Sequence, residues 1–129
     1  MLTKEKLESY FSELDLSYEE KNKNVWLIFG EEKGLENTII MMDDPIVIIR
    51  VKVMEVPEDS KSELFEQLLR LNATDMVHGA YALEGNNVIL INTLLAETMD
   101  LEELQASIDA LGLALAQHYE VLSKFRKKE

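Results

Sequence analysis

"IVIIRVKVM", Ile46 to Met54, is the stretch on which the fold turns. Its odd positions, Val47, Ile49, Val51 and Val53, are all β-branched, and its even positions read Ile46, Ile48, Arg50, Lys52 and Met54. Branched side chains suit a pleated strand, and a run this short between Asp43-Asp44-Pro45 and Pro57 reads as a strand rather than a helix. A strand with one face in water alternates apolar and polar residues. Here one face is wholly apolar and the other is apolar at both ends, with two cations between. The sheet therefore needs cover on its second face, at least in part, and a partner could supply it.

Working outward, "VWLIFG", Val25 to Gly30, is a strand apolar on both faces, with Val25, Leu27 and Phe29 against Trp26 and Ile28. "GEEKG" makes a turn with Glu31 and Glu32 at its solvated tip, and "NTIIMM" begins the next strand. Turn residues between apolar runs of this length imply an antiparallel meander. Ahead of it, Leu7, Tyr10, Phe11 and Leu14 form one helical stripe with Thr3 as N-cap, and "EEKNKN" is a polar connector.

Beyond Pro57, "EDSKSELFEQLLRLN" forms a second helix with Leu64, Phe65, Leu68, Leu69 and Leu71 on a wide apolar face. Asn72 is suited to a left-handed cap at its end. "DMVHGAYAL", the turn "EGNN" and "VILIN" make a hairpin. Asp100 caps a third helix, with Glu103 at the capping-box position. Its main stripe is Leu104, Ile108, Leu111, Leu115, Tyr119 and Leu122, and a second line, Ala106, Ala110 and Ala114, is small enough for close approach. The expected fold is one α+β domain over residues 1–129, an antiparallel sheet packed with three helices in the order α-βββ-α-ββ-α.

The formal net charge is -12, and residues 1 to 123 hold 9 basic against 24 acidic side chains. Such a body repels phosphate backbones and anionic lipid, which argues against nucleic-acid and membrane-surface partners. The basic tail, Lys124, Arg126, Lys127 and Lys128, complements the last helix's dipole. No run approaches the roughly 18 apolar residues of a membrane span. The start of the chain lacks a signal-peptide core. The absence of cysteine removes disulfides, thiolate metal sites and a cysteine nucleophile. The expected location is the cytoplasm.

No catalytic constellation emerges. His78 and His118 lack the spacing of metal ligands. Asp43 and Asp44 lack the further oxygen donors of a calcium loop and read as turn chemistry before Pro45. The serines sit in helices or caps without a Gly-x-Ser-x-Gly elbow, and the glycines form no phosphate cradle. No cofactor is expected.

"LLRLNAT", "MVHGAYALEG", "NVILINTLLAE" and "MDLEELQASIDALGLALAQHYEVL" together resemble the second half of YbjN-domain proteins. They are equally similar to the type III secretion chaperone fold. The resemblance covers residues 57 to 123 at motif level and the whole chain in element order. It implies a non-enzymatic, often dimeric protein that holds an extended segment of another protein along apolar patches. It also implies that the helix bearing Leu68, Leu69 and Leu71 contributes to pairing, although these three could equally pack into the chain's own core. The expected partner or dimer surface comprises Trp26, Ile28, Met41, Met42, Ile46, Ile48, Met54, Leu68 and Leu69. The alternative is a regulator holding a small ligand between sheet and last helix, favoured by the alanine line.

Overall fold

The computed structural model describes residues 2–30, 34–76 and 78–126. The expected tip at Glu31 and Glu32 and the tail lysines Lys127 and Lys128 lie outside them. The described residues form α1 (Lys4–Glu13), β1 (Ser17–Asn22), β2 (Val25–Gly30), β3 (Leu35–Asp43), β4 (Ile46–Glu55), α2 (Lys61–Thr74), β5 (Ala80–Glu84), β6 (Asn87–Leu95) and α3 (Leu101–Ser123). The strands make one antiparallel sheet in the order β1-β2-β3-β4-β6-β5.

The expected architecture holds, with one strand more. "EEKNKN" was expected to be a connector, but its first four residues belong to a strand, Ser17–Asn22, that pairs with β2, Tyr18 opposite Ile28 and Glu20 opposite Trp26. Its alternation is nearly silent because it is an edge strand whose polar side chains face water. Such charge on an edge discourages pairing with stray chains. Asn24, at φ +62, turns the tight β1–β2 connection, and its N–H donates to Glu20 at 3.0 Å. Lys4 pairs with Glu20 and ties α1 to this edge, which holds the Glu20 carboxyl below its ordinary range.

The three helices lie on one side of the sheet. Thr3 and Asp100 cap α1 and α3 as expected, their side chains accepting from the N–H groups of Lys6 and Glu103. Leu7 and Phe11 of α1 are fully buried, with the Phe11 ring set edge-on to Trp26 at 5.8 Å. Ser107 of α3 accepts from Asn92 of β6 at 3.0 Å. Val47, Ile49 and Val51 of β4 and Leu90 of β6 complete the sheet's side of this core.

The stripe of α3 follows Leu104, Ile108, Leu111, Ala114, His118 and Leu122 rather than the expected line through Leu115 and Tyr119. Tyr119 is largely exposed, because a 3.6-residue period carries the buried face to His118 by the fourth turn. Gly112 is buried in this helix where Gly34 approaches, and a methyl group on Gly34 would stand 3.6 Å from the Gly112 carbonyl oxygen.

Candidate protein-binding surface

Because every helix packs on one side, the other face of the sheet carries no helix among the described residues. The register defines that face. Leu27, Ile39, Arg50, Ile91 and Ala80 stand in one row across β2, β3, β4, β6 and β5. Val25, Met41, Ile48 and Thr93 form the next row, and Ile46 lies opposite Leu95 beyond it. Most of these side chains are only half-buried, and Phe29 and Leu95 are 47% and 59% exposed. Burying apolar area of this kind releases about 25 cal/mol per Å². A contiguous apolar face left in water on a soluble chain is a candidate docking surface.

The face is not flat. Arg50 pairs through Nη1 with Glu84 on β5 while Nη2 lies 3.5 Å from Sδ of Met41 on β3. Strand rise and spacing would separate the backbones of Met41 and Glu84 by roughly 20 Å or more in a flat sheet, beyond the reach of one guanidinium. Twist of the sheet brings these side chains within reach of one another across the open face. Ile89 is buried at 5% exposure although it belongs to the open face, opposite Lys52 and Ala82 in the register between Arg50 and Glu84.

The expected surface residues divide. Met41, Ile46 and Ile48 stand together on the open face. Leu69, 68% exposed, lies apart on the outer side of α2, where Phe65, Leu69 and Ala73 border a shallow groove of about 570 Å³. Trp26, Ile28, Met54 and Leu68 are core residues and are corrected here. Trp26 is fully buried and its Nε1–H donates to Glu8 of α1 at 2.9 Å, so this face of β2 was claimed by the first helix. Ile28 lies on the same side, and Leu68 is buried on the inner face of α2. Met54 shares the parity of Ile48, but a register shift between Lys52 and Met54 turns its side chain into the core opposite Val88. Met42 also packs at the margin of the core rather than on the open face.

Sequence reasoning missed Val25, Leu27, Phe29, Ile39 and Ile91. Strands β2 and β6 are apolar on both faces, so their composition does not say which set faces outward. The register against β4 does, once Ile46 and Ile48 are placed.

The polar residues of the segment Leu68 to Leu95 serve the fold. Asn72 does not cap a helix end, because α2 continues to Thr74. Its side chain accepts from the Tyr81 N–H at 2.7 Å and donates to the Tyr81 carbonyl at 3.1 Å. Asn72 thus stands in for a neighbouring strand at the β5 edge. His118 is buried, with Nδ1 2.8 Å from the Tyr81 hydroxyl and Nε2 3.3 Å from Asp75 Oδ2. The Nε2–H tautomer satisfies both, accepting from Tyr81 and donating to Asp75. Burial pushes the Tyr81 phenol up to about 12, with Arg126 opposing the shift and Asp75 adding to it. His78 is exposed ahead of β5 rather than on a strand.

Among the described residues, no group of three or more His, Cys, Asp or Glu side chains could hold a metal ion. No described helix is long and apolar enough to cross a membrane. The alanine line does not enclose a cavity: Ala106 is exposed and Ala114 packs into the core. A groove of about 510 Å³ does lie beside α3, but Val51, Lys52, Leu115 and Tyr119 are among its walls instead.

The CesT_Tir_1 family profile matches residues 2–128. No curated protein matches the sequence. Among solved structures, YbjN from E. coli superposes with a TM-score of 0.69 at 12% identity, covering 94% of this chain and 96% of that one. A chain of the heterodimeric ExoU–SpcU complex from the type III secretion system of Pseudomonas aeruginosa gives 0.67 at 16% identity, covering 84% and 91%. A chain of the HopA1–SchA chaperone–effector complex gives 0.62 at 10% identity, covering 97% and 93%. The chain belongs to the CesT_Tir_1 family and shares the fold of YbjN and the type III secretion chaperones.

Proposed function

We propose that this chain is a non-enzymatic cytoplasmic interaction module, chaperone-like, that binds an extended segment of a partner protein and works as a homodimer. The observation that carries the reading is the largely apolar face of the sheet around Ile48, which no helix covers among the described residues. The fold is compatible with it, since similar chains are found in chaperone–effector complexes. The same fold serves chains with other roles, so the surface and not the fold is the argument. Pairing of two copies is assigned to the outer face of α2, where Phe65 and Leu69 present apolar surface remote from the sheet.

The test is capture of the tagged protein from a crosslinked lysate of its native host, beside an Ile48→Asp variant shown to be folded. One stoichiometric partner, lost with the variant, supports the module. Bait alone in both captures refutes it.

A second reading, a small ligand held between sheet and α3, rests on the groove beside Lys52 and Tyr119. Native mass spectrometry separates the two readings. A co-purifying small molecule favours the second, and a clean apo mass counts against it.

A further inference from the structure

Burial of apolar surface alone does not explain Arg50, which stands near the centre of the open face between Ile39 and Ile91. Its Nη1 is paired with Glu84, Nη2 rests against the Met41 thioether at 3.5 Å, and the buried Nε has no hydrogen-bond partner. In a planar guanidinium the Nε–H and one Nη2–H lie parallel on a single edge, spaced to meet both oxygens of a carboxylate. That edge is the one without an oxygen acceptor here. A thioether accepts weakly, and an unbranched methionine swings aside readily.

Resting on the reading of this face as a docking surface, we infer that its occupant is an apolar segment of a partner protein carrying one carboxylate, which closes on the Nε–Nη2 edge of Arg50. The surrounding residues Leu27, Ile39, Ile48 and Ile91 take the apolar side chains on either side of that acid. Charge sets the number of acids at one. The chain carries a formal net charge of -12, so a densely acidic segment is repelled, while a lone carboxylate among apolar residues meets the local cations Arg50 and Lys52. A second copy of this chain fits poorly. It would bring its own Arg50 and Lys52 to the contact, and Glu84, the acid of this face nearest to hand, is already paired.

The experiment pans a phage library of 12-residue random peptides against the purified chain and then measures synthetic peptides in solution. The expected selection is apolar peptides with Asp or Glu at one fixed position. Replacing that acid by Gln or Asn weakens binding to the native chain by about tenfold, and leaves binding to Arg50→Met unchanged. Ile48→Asp abolishes binding. Glu84→Gln, which removes the competing acid, strengthens the acid preference several-fold and gives the answer even if Arg50→Met fails to fold. Apolar peptides with no acid preference, or a preference that survives Arg50→Met or is unmoved by Glu84→Gln, overturn the carboxylate while leaving the docking face intact. Binding that survives Ile48→Asp, or a dimer that Ile48→Asp dissociates with no peptide selected, overturns both.

Discussion

Gly79 shows how little room a single position has. Its φ is +79, and an added Cβ would stand 2.6 Å from the Ile91 carbonyl oxygen and 3.2 Å from a methyl of Leu111. Gly79→Ala combines left-handed backbone strain with a clash against rigid backbone. It should cost about 2–4 kcal/mol, read as a lower urea midpoint at unchanged slope. Tyr81 makes a different kind of prediction. Its phenol titrates near 12 in the fold against about 10 when unfolded, so the folded state holds this proton more tightly. The associated stability is complete below pH 10 and declines as pH rises from about 10 through 12. Tyr81→Phe leaves His118 Nδ1 without its donor and should cost about 1 kcal/mol at neutral pH. That gap between variant and native chain should narrow between pH 10 and 12 in paired thermal melts. A gap constant with pH would contradict this, since it would mean that the phenol titrates alike in the folded and unfolded states.

At this scale the sequence was legible where partners are three residues apart and opaque where they are far apart. Thr3 and Asp100 announced their caps because the N–H groups they accept from lie in the same turn. Asn72 carries the composition of a cap and does something else, since its partner Tyr81 reaches it only through the packing of α2 on β5.

Elements show the same division. The runs of apolar residues marked the three helices and the strands β2 to β6, because each buries at least one continuous face. Strand β1 left almost no pattern, since its burial comes from a neighbour on one side only. The line Ala106, Ala110 and Ala114 was misleading because only Ala114 of it joins the buried stripe, and the close approach falls at Gly112 instead. At the opposite edge of the sheet from β1, the side chain of Asn72 blocks pairing at Tyr81. Asn72→Ala should remove both hydrogen bonds and cost about 1–2 kcal/mol, with faster amide hydrogen exchange at Tyr81 and a greater tendency to associate through β5. An unchanged exchange rate at that amide would mean that α2 shields the edge without the side chain.

Across the whole molecule, neighbouring residues of β4 face opposite conditions. Ile49 is fully buried beneath the helices, whereas Ile48 stands half-buried on the open face. Ile49→Asp places a charge in the core and should prevent folding, while Ile48→Asp should fold with a loss of about 1 kcal/mol or less, by circular dichroism and urea titration. That the second face of β4 is apolar at both ends with cations between could be read from "IVIIRVKVM" alone, and the structure adds which residues share that face. Which face of β2 joins it could not be read, because that choice belongs to α1 and the Glu8–Trp26 contact.

The most direct measurement places a photocrosslinking amino acid at position 48 in one variant and at position 113 in another, each expressed in the native host. Leu113 is an exposed apolar residue on the helical side, 59% exposed, and so controls for stickiness alone. A docking face on the open sheet predicts a discrete heteromeric adduct from position 48 and none from position 113. An adduct from position 113 with none from position 48 would contradict it.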